Sequence, residues 1–217
     1  MRARYLTTLA VLASLALASA AEIKQFTFNA DDWSEGEPPK DVFVVDGTIK
    51  IGVKDGNKAI VIEPNPITDA SAQLGVSAAG ESTIQAKVFA SKRARSVPRF
   101  GVSVHGMSGY RLMVNAARKQ VELVKGDEVL QTAAFDWASE TWTWLKLEVK
   151  RTSGDNWAIT GKVWSGDAQE PATPSVTHTD KSLKGQGKAG VWGTPYSETP
   201  IYFDDVAISV EVAPAAP

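Results

Sequence analysis

The sequence predicts an all-β protein built as one antiparallel sandwich, and three observations predict it. Nearly every patterned stretch of the 217 residues alternates apolar and polar side chains with a period of two, which is the period of a half-buried strand. Turn pairs rich in Gly, Asp and Asn punctuate these stretches at short intervals. No window of useful length carries apolar residues at i, i+3, i+4 and i+7, so no amphipathic helix is expected.

Taken in order, residues 42–45, 48–53 and 59–63 are short β-rich runs separated by Asp46-Gly47 and Asp55-Gly56-Asn57. Residues 82–90 alternate with Ile84, Ala86 and Val88 on one face. Residues 99–105 and 110–116 follow, joined by His105-Gly106-Met107-Ser108-Gly109. Residues 120–125 turn at Gly126-Asp127 into 128–134. Residues 142–150 turn at Ser153-Gly154-Asp155 into 157–164, and residues 188–192 and 201–210 complete about a dozen strands, a spacing typical of sandwiches. Two connections are long. Residues 35–41 hold a Gly and two Pro, and residues 165–187 are rich in Gly, Pro, Thr and Ser; the second is expected to pack over a sheet or form a rim.

The N-terminus gives an address. Arg2 and Arg4 precede an apolar run from Leu6 to Leu17, and Ala18-Ser19-Ala20 supplies small residues for cleavage, so residues 1–20 read as a secretory signal peptide. The run is shorter than the ~20 apolar residues that span a bilayer. Residues 21–212 then form one sandwich domain and residues 213–217 a short Ala/Pro tail. The expectation is an exported protein, periplasmic or extracellular, with no membrane span.

Composition narrows the function. A net charge of −2, with 23 Lys+Arg against 25 Asp+Glu, gives no basic footprint and argues against nucleic-acid binding. The absence of Cys removes disulfides, thiol catalysis and zinc–thiolate sites. His105 ends an apolar strand before a Gly turn and reads as structural, while His178 sits in the long polar loop; two such histidines give no zinc spacing, and no Gly-x-Ser-x-Gly elbow is present.

Saccharide recognition uses aromatic rings against C–H surfaces together with a few polar groups. In Trp142-Thr143-Trp144-Leu145-Lys146-Leu147-Glu148-Val149-Lys150, the residues Leu145, Leu147 and Val149 make one face. Trp144 and Lys146 fall on the other, so Trp144 is the leading platform candidate, with packing under the 165–187 loop as its bland alternative. Tyr110, Leu112 and Val114 share a face opposite Arg111, Met113 and Asn115, which would line an open sheet. Trp192 lies between Gly190 and Gly193, and Tyr196 follows in a loop. The basic cluster Lys92-Arg93-Ala94-Arg95, near Arg99, reads first as a solvated turn and second as a handle for an acidic polysaccharide.

Several phrases together resemble the concanavalin A-like lectin/glucanase superfamily, in the laminin-G-like jelly-roll form of bacterial exported proteins. They are Phe28-Asn29-Ala30-Asp31-Asp32-Trp33, Val45-Asp46-Gly47-Thr48-Ile49, Phe100-Gly101-Val102-Ser103-Val104 and Gly109-Tyr110-Arg111-Leu112. The strand from Trp142 to Val149, Gly187-Lys188-Ala189-Gly190-Val191-Trp192-Gly193 and Tyr202-Phe203-Asp204-Asp205-Val206 complete the set. Their order spans nearly the whole domain, and the chain is similar to domains labelled as 3-keto-disaccharide hydrolases.

The resemblance implies a two-sheet antiparallel jelly roll whose concave sheet or loops meet a glycan. It also implies where chemistry would sit. The glucanase branch places acids as Glu-x-Asp-x-x-Glu on one strand, and that pattern is absent: Glu122, Glu128 and Glu148 each lack an acidic residue two positions away. In modules of this type an acidic pair in the last strand approaches the N-terminal segment and helps hold a structural Ca²⁺. Asp204 and Asp205, with Asn29 and Glu22, are the corresponding candidates here. The leading expectation is therefore a non-catalytic, lectin-like module for polysaccharide or oligosaccharide. The alternatives are a glycoside hydrolase-like enzyme, or a structural or adhesion domain with a cell-surface or protein partner.

Overall fold

A computed structural model describes residues 21–64, 69–153, 155–183 and 186–212; the expected signal peptide and the Ala/Pro tail lie outside these. Fifteen strands run through the described residues: β1 (Glu22–Phe28), β2 (Val42–Asp46), β3 (Ile49–Lys54), β4 (Asn57–Ile62), β5 (Ala70–Ala78), β6 (Ser82–Phe89), β7 (Arg99–Val104), β8 (Tyr110–Asn115), β9 (Gln120–Lys125), β10 (Glu128–Ala134), β11 (Trp142–Arg151), β12 (Trp157–Ser165), β13 (Val176–Asp180), β14 (Gly187–Thr194) and β15 (Ile201–Val212). They form two antiparallel sheets. The eight-stranded sheet runs β13-β12-β11-β6-β15-β4-β3, with β1 added alongside β15; the seven-stranded sheet runs β10-β9-β8-β7-β14-β5-β2. Late strands sit between early ones, β15 between β6 and β4 and β14 between β7 and β5, as a jelly roll requires.

Alternation builds the core. Leu145, Leu147 and Val149 from β11, and Ile84, Ala86 and Val88 from β6, meet Phe100 and Val102 of β7 and Leu112 and Val114 of β8 between the sheets. The close approach is visible at Gly161 of β12, where a Cβ would lie 2.4 Å from Leu112 Cδ1 and 2.8 Å from Val176 Cγ2. A methyl group there would force Leu112 or Val176 to shift.

Asp204 and Asp205 interrupt β15 with a bulge. Register with β6 slips between Asp204 and Ala207, Asp205 takes a left-handed backbone (φ 50°), and Asp204 Oδ1 accepts the Asp205 N–H at 2.8 Å. Before the bulge β15 pairs with β4; after it, with β1.

Three strands go beyond the sequence expectation. β5 turns Ala70, Ala72, Leu74 and Ala78 inward, but alanine carries almost no β signal. β1 is exposed over its first four residues, which hides its alternation. β13 lies inside the 165–187 segment, pairing with β12 as the edge of its sheet. The first half of that segment packs over the sheet as expected, with Glu170 reaching both Lys146 (3.1 Å) and Lys162 (2.6 Å). No helix among the described residues is long and apolar enough to cross a membrane.

Candidate functional site

The outward face of the seven-stranded sheet is built from the strand positions that alternate with the core. Reading across β5, β14, β7, β8 and β9, one row is Gln73, Gly190, Ser103, Arg111 and Val124. The next row is Ser71, Trp192, Gly101, Met113 and Glu122, and Arg99 and Asn115 follow on the far side. At Gly101 an added Cβ would stand 2.3 Å from the Leu112 carbonyl oxygen. Without a side chain on β7 there, Trp192 of β14 reaches Met113 of β8, and with Val124 these form an apolar cluster separate from the core.

Two guanidiniums cover this cluster. Arg99 Cζ lies 5.8 Å and Arg111 Cζ 5.3 Å from the Trp192 ring centroid, within cation–π reach on either side. Trp192 is 3% exposed, so it is the floor beneath the arginines and not an open platform.

Each guanidinium is also fixed at one edge. Arg99 Nη2 donates to Glu122 Oε2 at 3.2 Å, and Arg111 Nη2 donates to the Gly126 carbonyl at 2.6 Å. Glu122, 1% exposed, further accepts from Asn115 Nδ2 (2.9 Å) and Gln120 Nε2 (2.7 Å) through Oε1. Arg118 adds a longer ion pair at 3.8 Å. Both oxygens of Glu122 are thus committed to holding donors in place. Trp192 Nε1 and the Nε atoms of Arg99 and Arg111 are buried with no hydrogen-bond partner among the described residues, although buried polar hydrogens are nearly always paired.

The sequence candidates divide between opposite faces of the sandwich. Arg111, Asn115 and Trp192 come together here. Trp144 and Lys146 point outward from the eight-stranded sheet, where Trp144 stacks on its cross-strand partner Trp164 (5.8 Å between centroids, 11° between planes) and Lys146 is engaged by Glu170. Tyr196 is 50% exposed in the loop after β14.

The four metal candidates are not brought together. Asn29 follows Phe28, the partner of Val206, and so lies at the same end as Asp204 and Asp205; Glu22 pairs with Val212, six residues along and about 20 Å away at ~3.3 Å per residue. As a set they do not fit one calcium ion, and no group of three or more His, Asp or Glu among the described residues is placed to hold a metal. Burial raises the Asp204 carboxyl above its ordinary range, with Asp205 and Asp31 adding to the rise.

Two residues of the face lie outside the sequence-based ligand candidates. Arg99 opens β7, as the run 99–105 predicts, and projects outward between Pro98 and the buried Phe100 onto the face that holds Trp192. Glu122 enters the sequence analysis only as a candidate acid for hydrolysis. Its signal was its place in Val121-Glu122-Leu123-Val124, where a lone charge among apolar residues marks a committed partner.

Other ionisable groups hold the fold. His105 Nε2 lies 3.0 Å from Ser82 Oγ and 2.9 Å from the Gly80 carbonyl, and burial lowers its pKa. At one rim Asp180 accepts from Tyr110 (2.7 Å) and pairs with Lys125. Burial works to raise the Asp180 carboxyl, but Lys125 and Tyr110 outweigh it and hold it at about 2.

No family model and no curated protein matches the chain. Solved structures do. The fold is similar to carbohydrate-binding module CBM66 from Bacillus subtilis, at 16% identity over 76% of this chain and 93% of that one, with a TM-score of 0.52. It is similar to lectin I-B4 from Griffonia simplicifolia at 8% identity, over 88% of this chain and all of the lectin's (100%), with a TM-score of 0.56. The alginate lyase of Aplysia kurodai matches at 12% identity over 78% of this chain and 90% of its own, with a TM-score of 0.54. What the three share with this chain is the two-sheet sandwich.

Proposed function

We propose that this chain is an exported, non-catalytic carbohydrate-binding module, and that its ligand surface is the outward face of the seven-stranded sheet. The observation that carries the proposal is the pair of guanidiniums set over Trp192, with Asn115 and Glu122 beside them. A saccharide carries a fringe of acceptors, which guanidinium donors held in place can bind. The sandwich is an architecture that modules and lectins named for carbohydrate recognition also use.

A binding role fits better than hydrolysis. Glycoside hydrolysis needs two carboxyl groups free to exchange protons across one cleft. Glu122 has both oxygens occupied by Arg99, Asn115 and Gln120 and is spent on positioning. Export rests on the signal-peptide pattern of residues 1–20.

The test is binding of the purified protein to a panel of soluble and insoluble polysaccharides, alongside Arg111→Gln and Trp192→Phe variants. Saccharide binding that both variants weaken is the expected result. Binding by neither the protein nor its variants to any glycan would overturn the reading. Attention would then pass to β2, whose edge exposes Phe43, Val44 and Val45 and suits a protein contact.

A further inference from the structure

From the same face, and resting on the reading just given, we infer that the saccharide it binds is acidic: the surface is a clamp for the carboxylates of a polyuronate. The protein as a whole is slightly acidic, with 25 Asp+Glu against 23 Lys+Arg, yet this face runs the other way. Arg99, Arg111, Arg118 and Lys188 belong to it, against Glu122 within it, Asp46 beside Ser71 on its β2 edge, and Asp69 at its margin, where Asp69 accepts from Thr194; cations lead by four to three. A local surplus of cations on an acidic protein marks a surface meant for an anion.

The geometry favours carboxylate over a neutral hydroxyl. A guanidinium has five N–H donors in a planar fork that matches a carboxylate edge. Among the described residues Arg99 gives one hydrogen bond, to Glu122, and Arg111 one, to Gly126. Among the described residues the remaining donors have no acceptor; both Nε atoms are buried, and the Arg99 side chain is 31% exposed, so the donors left for a ligand are those of the Nη groups.

Trp192 lies within cation–π reach of both guanidiniums, and Glu122 and Gly126 fix one edge of each. The forks are therefore oriented before the ligand arrives, which spares the ordering cost that free surface arginines would carry. Both Cζ atoms lie within 5.8 Å of one ring centroid. That spacing lets one short acidic chain engage the two together. A neutral glycan would leave the surplus donors and the positive field without a counterpart.

The experiment measures affinity of the purified protein for three polyuronates, based on galacturonate, on mannuronate and guluronate, and on glucuronate. Each is paired with its carboxyl-reduced neutral form, at low and high salt. At least one acidic form should bind about tenfold or more tightly than its reduced partner, with the advantage shrinking as salt rises. Arg111→Gln should lose about tenfold on the acidic form, with an unchanged melting curve confirming that the variant is folded. Equal binding to acidic and reduced forms, or binding to neutral glycans alone, would overturn the inference while sparing the saccharide reading. Failure of every glycan, acidic or neutral, would overturn both.

Discussion

Replacing Glu122 by leucine should destabilise the fold through the loss of a buried acceptor. Glu122 holds three donors: the Arg99 guanidinium at 3.2 Å, the Asn115 amide at 2.9 Å and the Gln120 amide at 2.7 Å. Hydrogen bonds to a charged group contribute about 1.5–3 kcal/mol each. Gln120 is half-exposed and turns to water when released, so it is discounted. Arg99, also partly exposed, recovers some hydration, while Asn115 is buried and recovers little. The expected cost of Glu122→Leu is therefore about 3 kcal/mol. For a chain of this size that lowers the melting temperature by roughly 6–12 °C. The assay is a denaturant titration with a double-mutant cycle. Arg99→Met added to Glu122→Leu replaces the ion pair by apolar packing over Trp192, and so should recover at least ~1 kcal/mol relative to the sum of the single changes. Additive single changes, within ~0.5 kcal/mol, would show that Glu122 and Arg99 do not act as a pair and would refute the account of how the face is held.

Three further outcomes follow from other parts of the molecule. Trp144→Ala should lower stability by about 1 kcal/mol through lost stacking on Trp164 and leave glycan affinity untouched, because Trp144 lies on the opposite sheet; a loss of affinity on the polysaccharide panel would move the site. His105 is buried and its pKa is lowered from 6.5, so the folded state favours the neutral ring. Its contribution is complete above pH 6.5 and is lost as pH falls below it, and urea melts of the parent protein should show a decline there that His105→Asn flattens. Gly161→Ala should cost about 1–3 kcal/mol, since its methyl would sit 2.4 Å from Leu112 Cδ1 and force the sheets apart; Leu112→Ala in the same chain should relieve part of that cost in thermal melts.

Alternation made the core legible from sequence. Leu145, Leu147 and Val149 face inward while Trp144, Lys146 and Glu148 face out, and Tyr110, Leu112 and Val114 oppose Arg111, Met113 and Asn115 as their spacing implies. What alternation lacks is any statement of which sheet a strand joins. Trp144 and Arg111 both lie on outward faces, but β11 belongs to one sheet and β8 to the other, so residues that look like one binding set stand on opposite sides of the sandwich. That assignment depends on long-range pairing, such as β15 lying against β6, more than a hundred positions away in the chain. No local period encodes it.

The same limit applies to Trp192. Gly190 and Gly193 flank it in the chain, and such small neighbours let either a ligand or another strand approach. The side chains that cover it arrive from β7 and β8. Gly101 leaves room for the indole to lie across β7, and that room brings the ring within reach of Arg99 on one side and Arg111 on the other. An exposed tryptophan would select for flat apolar ring faces alone. A tryptophan roofed by two guanidiniums instead backs a charged surface, stiffening it and lowering the local dielectric beneath it, so that each remaining N–H attracts an anion more strongly than a solvated arginine would. The residue types were visible in the chain, but their chemistry as a site depends on three strands meeting.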